Sequence, residues 1–516
     1  MDNPVACVDY SSLYPSSMIS QNFSQDSKVW TKEYDLLGKL IRETGERDSS
    51  GKYIYDNMPG YHYIDIEFDS FRYIRNPARP KSKAVKTKVG KMVVRWAQLP
   101  ENKKSIMPSI LMLLLKARSD TRKKIKSEKD PFMQNVLDKR QLAYKVTANS
   151  LYGQSGSPTS TFYDKDVAAC TTATGRMMII YAKRMIEEVY GNLIYETMYG
   201  AARCRAEYVY GDTDSVFFTF NLENPETGEK IRGKPALEMT IEIAQDAAKL
   251  CTQYLKPPME LSYEKTLMPF ILLSKKRYVG MLYETDPNKG KLKYMGLPLK
   301  RRDNCDYLKD VYGGILNILM KEGDMEKAIV FLNQCLRDLI DGHVPIDKLT
   351  ITKQLRSYYA NPQQIGHFVL ADRIGKRDAG NKPKSGDRVK FAFIVNDKLK
   401  ALMGEKIETP EYILENNIQL DYTHYITNQL MKPLQQLLGL ALENIWRIKG
   451  KTLAIKRHRE DVQKLMEEEE DVEKFMKKRE KLCSKKVEEL LFRDILNAIY
   501  NEKHGIQKIT SFFGQR

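Results

Sequence analysis

Tyr210-Gly211-Asp212-Thr213-Asp214-Ser215 lies between two runs rich in β-branched and aromatic residues, Glu207-Tyr-Val-Tyr210 and Ser215-Val-Phe-Phe-Thr-Phe220. That pattern predicts two strands joined by a hairpin turn. Residues two apart on a strand share a face, so the two carboxylates are expected to point one way. Acidic turns are common, and the doublet alone more often marks an ordinary hairpin. What separates the readings is a third carboxylate far upstream. Asp9 opens Asp9-Tyr10-Ser11-Ser12-Leu13-Tyr14-Pro15-Ser16 and follows a short apolar strand, Val5-Ala-Cys-Val8. Carboxylates joined from distant segments suit Mg²⁺, which takes a few carboxylate oxygens together with substrate phosphates. Two such ions about 3.5–4 Å apart clamp the entering and leaving oxygens of an in-line phosphoryl displacement.

Working outward, Pro108 to Gly153 is helical in pattern, broken at Asp130-Pro131, and predicts two antiparallel basic helices. Lys145-Val-Thr-Ala-Asn149-Ser-Leu-Tyr152-Gly153 falls on the second. Its spacings of four and seven put Lys145, Asn149 and Tyr152 on one face. A cation, an amide and a ring there suit a triphosphate and a stacked base. Arg118 and Arg122, four apart on the first helix, add guanidinium groups matched to phosphate oxygens. Further helices are expected over Phe162 to Tyr190, over Glu238 to Tyr254, and through most of the chain after residue 305. Residues 31–100 are Tyr-rich with turn signals, a small strand-containing insertion. Its basic stretch from Arg79 to Lys91 reads either as a phosphate track or as a solvated loop.

The 516 residues suggest about three domains. Lys and Arg number 84 against 67 Asp and Glu, and the net +17 favours an anionic partner, nucleic acid first. No apolar run approaches the roughly 18 residues of a membrane span, and no signal-peptide pattern opens the chain. A membrane partner is therefore not expected. The seven cysteines are scattered without a CxxC pair. That spacing excludes a zinc-finger type site and argues for reduced thiols inside a cell.

Together these stretches resemble family B DNA polymerases. Asp9–Ser16 is similar to their motif A, Lys145–Gly153 to motif B, and Tyr210–Ser215 to motif C. Ser274-Lys-Lys-Arg-Tyr278 is similar to the primer-strand motif. The resemblance runs through nearly the whole chain and is nearest to delta-type enzymes. Lys300-Arg-Arg-Asp-Asn-Cys305, Leu370–Asp378, Gly386-Asp-Arg-Val389, Asp421–Tyr425 and Lys432-Pro-Leu434 carry it into the last third. The insertion looks more like that of nucleocytoplasmic large DNA viruses.

The resemblance implies an α+β right hand, with an antiparallel palm sheet and mostly helical fingers and thumb. Residues 1–30 and 156–304 would form the palm, 31–105 an adjoining insertion, 106–155 the fingers, 305–500 the thumb and 501–516 a tail. It implies template-directed addition of dNTPs to a primer 3′-hydroxyl in DNA replication, with two Mg²⁺ ions. Asp9, Asp212 and Asp214 would be the catalytic carboxylates. Asp9 and Asp214 would bridge the metals, the Tyr10 carbonyl would join one of them, and Asp212 would support them. Ser12, Leu13, Tyr14, Arg118, Arg122, Lys145, Asn149 and Tyr152 would hold the nucleotide, with Tyr14 excluding a 2′-hydroxyl by filling its space. Gly153, Lys275, Lys276, Arg277 and Tyr278 would meet primer–template DNA.

The C-terminus, Ile506-Gln507-Lys508-Ile509-Thr510-Ser511-Phe512-Phe513, resembles a sliding-clamp peptide anchored by Ile509, Phe512 and Phe513. Its glutamine stands one place late. Paired aromatics near a chain end suit a partner pocket. The chain starts almost at motif A, which leads us to expect an exonuclease-bearing N-terminal portion that is missing or supplied by another chain. No proofreading by this chain, and no zinc or iron–sulfur cluster, is expected. The work would take place inside a host cell, in the nucleus or a cytoplasmic replication site if the source is viral. Two other readings compete. A non-catalytic DNA-binding fragment would need its N-terminal partner. An RNA-synthesising palm enzyme is disfavoured by Tyr14 and Lys145–Gly153.

Overall fold

Val5–Tyr10 is apolar at almost every position and forms strand β1, buried throughout except at Asp9. A strand buried on both faces belongs in the middle of a sheet. In the computed structural model, which describes residues 3–506 apart from 81 and 399, β1 pairs antiparallel with a strand on each side. The chain then enters helix α1 (Leu13–Gln21) and a second sheet, made of β2 (Lys28–Asp35), β3 (Leu40–Thr44), β4 (His62–Ile74) and β5 (Val85–Gln98). Its strand order is β3-β2-β5-β4. All its pairings are antiparallel, and its strands lie largely within the stretch read from the sequence as an insertion.

Helices α2 (Ile106–Ser127) and α3 (Pro131–Gly156) pack against each other as a pair. Asp130 caps α3 through the Phe132 amide, and Pro131 takes the first helical position, where its missing N–H costs nothing. Helix α4 (Lys165–Tyr190) starts three residues later than the sequence pattern indicates. Asp164 accepts from the amides of Asp166 and Val167, and this cap sets the start. Strands β6 (Ile194–Thr197) and β7 (Gly200–Arg203) form a small hairpin, followed by β8 (Glu207–Asp212) and β9 (Ser215–Thr219). Helix α5 spans Gly233–Gln253, beginning five residues before the expected start. Strands β10 (Leu261–Ser274), β11 (Arg277–Tyr283) and β12 (Lys291–Met295) complete the first sheet, ordered β12-β11-β10-β1-β9-β8.

The chain divides into two compact units, Met1–Phe270 with Met281–Lys291, and Ile271–Gly280 with Leu292–Arg516. In the first, Val8, Val216 and Phe218 of the sheet are buried with Ile186 of α4 and Ile243 and Ala247 of α5. The second unit is mainly helical, from α6 (Asp306–Asn317) and α7 (Met325–Ile340) onward. It also holds a small sheet of β13 (Ile351–Gln354), β14 (Arg388–Phe393) and β15 (Ile407–Glu408). Its core gathers Tyr312, Leu332, Phe391, Tyr425, Leu434 and Phe492. Two arginines of the Leu370–Asp378 motif serve that core: Arg373 and Arg377 both reach the buried carboxylate of Glu408, at 3.5 and 2.7 Å. The fold is therefore α+β, antiparallel sheets flanked by helices, consistent with a palm–fingers–thumb polymerase.

Among the described residues, no helix is long and apolar enough to cross a membrane. All seven cysteines are buried free thiols.

Candidate active site

Three strand ends meet at Asp9. It pairs with Ser215 on β9 and with Ser262 on β10. The Tyr10 amide donates to the Asp214 carbonyl at 2.9 Å, which fastens the motif C turn to the end of β1. The Tyr10 ring is buried, and its hydroxyl donates to the Met178 carbonyl on α4 at 2.7 Å. The next residues turn sharply. Ser12 takes a left-handed conformation (φ 52°) before α1 begins, and Ser11 donates its amide to the Glu260 carbonyl at 3.0 Å.

The motif C carboxylates differ from their expected placement. Asp212 closes β8, whereas Asp214 lies in the turn after Thr213, which has φ 53°. They therefore do not share one strand, and strand alternation does not set their directions. Asp212 instead pairs with Ser215 across a two-residue turn, and the Asp214 amide donates to the Asp212 carbonyl at 2.6 Å. Asp214 is the one carried to β1, while Asp212 accepts from the Thr213 hydroxyl at 3.2 Å.

Electrostatics ties the group together. Burial pushes the Asp9 carboxyl up to about 7, with Asp214 and Glu264 adding repulsion and Lys265 and Lys145 opposing it. Asp214 is also raised, by burial first, then by Asp212 and Glu264, against its own amide and Lys145. Glu264 and Lys265 were not singled out in the sequence, and the reason is structural. On β10 the register slips, so that Cys7 faces Lys265 and Val8 faces Tyr263, leaving Glu264 as an extra residue. Such a bulge re-aims side chains. Here it sets both Glu264 and Lys265 opposite Cys7, on the face that carries Asp9. The Cys7 thiol lies 3.5 Å from a Glu264 oxygen, and the Lys265 ammonium 2.8 Å from the same carboxylate. The one local signal was a Glu-Lys doublet inside an otherwise apolar and aromatic strand.

The helical pair supplies cations. Lys145 is exposed on α3, and its charge reaches both Asp9 and Asp214. Arg118 lies half-buried on α2, 3.4 Å from the Ser12 hydroxyl and 3.3 Å from the Gln141 side-chain oxygen. Burial and then the neighbouring Arg122 lower its pKa. Arg122, Asn149 and Gly153 are exposed, and Leu13 is buried. Tyr14 and Tyr152 pack ring to ring, centroids 4.3 Å apart and tilted by 38°. Gly175 on α4 backs this pair: a Cβ there would stand 3.2 Å from the Tyr14 ring and 3.3 Å from Leu13.

Lys275 and Lys276 are exposed at the turn between β10 and β11, with Lys276 left-handed (φ 64°). Lys275 lies 3.2 Å from Glu473. Arg277 is half-buried and donates to Gln436 at 2.6 Å, and Tyr278 is buried. Ile509, Phe512 and Phe513 fall outside the described residues.

Among the described residues, no three His, Cys, Asp or Glu side chains stand close enough to cage a metal by themselves. The donor chemistry nevertheless fits Mg²⁺. Asp9 and Asp214 offer hard carboxylate oxygens, their repulsion is relieved only in part by lysines, and Mg²⁺ keeps positions for water and phosphate.

Carboxylates at the ends of adjoining antiparallel strands, within the charge field of Lys145 from a helical pair, are consistent with a palm-type polymerase domain. The comparisons agree, and the chain belongs to DNA polymerase family B, whose model matches residues 1–440. It is 40% identical to a DNA polymerase of Pyramimonas orientalis virus over 99% of this chain and 42% of that protein. It is 53% identical to a DNA polymerase of Phaeocystis pouchetii virus over 52% of this chain and 26% of that protein. With the DNA polymerase delta catalytic subunit of Caenorhabditis elegans it shares 32% identity over 84% of this chain and 34% of that subunit. The chain thus spans less than half the length of each of these relatives.

Proposed function

We propose that this chain is the polymerase module of a DNA-directed DNA polymerase, extending a primer on a DNA template with dNTPs. The observation that carries this reading is the juxtaposition of Asp9 and Asp214, locked by the Tyr10–Asp214 backbone hydrogen bond, within the charge field of Lys145. In the reaction the primer 3′-hydroxyl loses its proton to solvent as its oxygen bonds to the α-phosphorus of the dNTP, the bond from that phosphorus to the bridging oxygen breaks, and pyrophosphate leaves with that electron pair. Phosphoryl transfer depends mainly on positioning and on electrostatic stabilisation. Mg²⁺ ions held by Asp9 and Asp214, with the Tyr10 carbonyl on one of them, would lower the pKa of the attacking hydroxyl and offset charge on the phosphates.

The protein groups around them have separate tasks. Asp212 steadies the turn that presents Asp214. Arg118, Arg122 and Lys145 hold the triphosphate, with Ser12 beside Arg118. Asn149 borders the same pocket. Tyr14 and Tyr152 form the wall under the sugar and base. In this reading residues 1–30 and 156–304 are palm, 106–155 fingers and 305–500 thumb, with 31–105 as the insertion. Lys275 and Lys276 take primer–template phosphates.

The viral relatives support a delta-like enzyme of a large DNA virus working inside the host cell. A sliding clamp engaged through Ile509, Phe512 and Phe513 completes the proposal.

The test is Mg²⁺-dependent primer extension by the chain and by Asp214→Ala, with primer–template binding measured alongside. Extension by the native chain and loss of it in the variant, with binding kept, is the expected result. Binding without extension by either protein would replace this reading with that of a non-catalytic DNA-binding fragment.

A further inference from the structure

A dense run of positive charge falls outside the sequence motifs that carry the carboxylates. Residues 72–91 contain eight Lys or Arg and no Asp or Glu, in a chain whose net charge is +17. The structure gives this stretch a definite form. Strands β4 and β5 run together from the His62–Gln98 pair to the Ile74–Val85 pair. Their neighbour β2 stops earlier, at its Asp35–Gly90 pair. Gly90 marks the limit, because a Cβ there would lie 1.9 Å from the Tyr34 carbonyl oxygen. A register slip between Ser70 and Phe71 follows at the same level. Beyond it, β4 and β5 continue as a ribbon of two strands without a sheet neighbour among the described residues.

The base of this arm is anchored and its end is not. Ile66, Val94 and Trp96 are buried with Met18, Leu111 and Val167. Past the slip, Phe71 and Tyr73 are 45% and 74% exposed. Residues directly opposite on paired strands share a face, so Phe71 with Lys88 and Tyr73 with Lys86 make one face of alternating rings and cations. The Lys86 ammonium stands 4.3 Å over the Phe71 ring. Lys88 is paired with Asp69 at 2.7 Å. Arg75, Arg79 and Lys83 at the tip form no ion pair with any described residue.

We propose that the β4–β5 ribbon is a binding arm for single-stranded DNA. Two-stranded ribbons are marginal in water alone, and unpaired tip cations favour an anionic partner. The exposed rings choose between forms of DNA. Duplex phosphates need only charge, whereas unstacked bases gain from aromatic faces set among cations. The inference rests on the polymerase reading only for taking the nucleic acid to be DNA.

The test uses the intact chain and fluorescence anisotropy with labelled oligo(dT) across a salt titration. Arg75→Ala/Arg79→Ala/Lys83→Ala should weaken binding at least tenfold near 0.1 M salt and flatten the log–log salt slope by about 2, from about 0.7 per phosphate contact on single strands. Tyr73→Ser should weaken binding roughly tenfold with the slope unchanged. Unchanged affinity in either variant would overturn the proposal, as would a Tyr73→Ser loss that is equal on blunt duplex. Extension of a primer on a template with a very short overhang should be the same in all three proteins. A native chain that extends no primer would count against the polymerase reading and leave the oligo(dT) result standing.

Discussion

Asp9 is held in a state that disfavours its charge. Burial, Asp214 and Glu264 push its carboxyl up to about 7, well above the range it has in an unfolded chain. Between those values the folded state keeps a proton that the unfolded state has lost, so stability falls as pH rises. Below the ordinary carboxylate range both states are protonated and the penalty vanishes; above about 7 it is complete. Asp9→Asn should therefore melt higher than the native chain in EDTA at pH 8, by on the order of 2 °C. The gap should close near pH 4. Added Mg²⁺ should raise the melting temperature of the native chain and leave that of the variant unchanged, while primer extension by the variant is lost. Equal melting temperatures at pH 8 would show that Asp9 is not strained by its neighbours. Tyr14 supplies a second residue-level expectation. Its ring is fixed between Tyr152 and Gly175, so Tyr14→Ala should open space at the sugar. Single-turnover incorporation of each nucleotide type checks this: the preference for dNTPs over NTPs should fall at least tenfold, and an unchanged ratio would refute the gate. Asp9, Asp214, Tyr14 and Lys145 were legible because each sits in a dense local motif. Glu264, Lys265 and Gly175 were not, because a bulge and a helix crossing bring them in from segments without a local signature.

At the scale of elements, Asn22 joins three pieces of chain. It ends α1 in a left-handed conformation (φ 58°), and its side chain bonds the Ala97 carbonyl at 2.8 Å. It also meets the Ser105 hydroxyl at 3.1 Å and accepts from the Ser105 amide at 2.9 Å. Motif A's helix, the end of β5 and the start of α2 are thereby fixed to one another. Asn22→Ala should cost about 2–4 kcal/mol by leaving buried groups unpaired. Asn22→Gly should cost about 1 kcal/mol less, because glycine accepts the left-handed backbone. Urea unfolding checks the order native, Gly, Ala; coincident Gly and Ala curves would discard the backbone part of this account. Element type was largely readable, since the helical period over α2 to α5 and the β-branched runs of β8 and β9 are strong. Boundaries were less so, because caps such as Asp164 set them. Strand alternation does not orient Asp212 and Asp214, for a related reason: a left-handed Thr213 ends the strand between them.

At the scale of the whole molecule the excess of positive charge is the property that a partner would meet, and its distribution matters more than its sum. Lys275 and Lys276 sit exposed at a tight turn, while Tyr278, two residues on, is buried. The sequence motif treats the three alike; burial separates them. The exposed pair between Lys275 and Glu473 contributes little stability, so its loss should not affect folding. A Lys275→Gln/Lys276→Asn variant, with asparagine retaining the left-handed turn, should keep the native melting temperature. Its primer–template binding should weaken, and the log–log salt slope should flatten by about 1.8, near 0.9 for each lost phosphate contact on duplex DNA. Tyr278→Ala should behave in the opposite sense, lowering stability by about 3 kcal/mol through the cavity it leaves. Anisotropy titrations at several salt concentrations, paired with thermal melts, separate the two effects. A salt slope that is unchanged in the lysine variant would remove this turn from the DNA contact surface. A Tyr278→Ala protein of native stability would mean that its ring is held by less than its burial indicates.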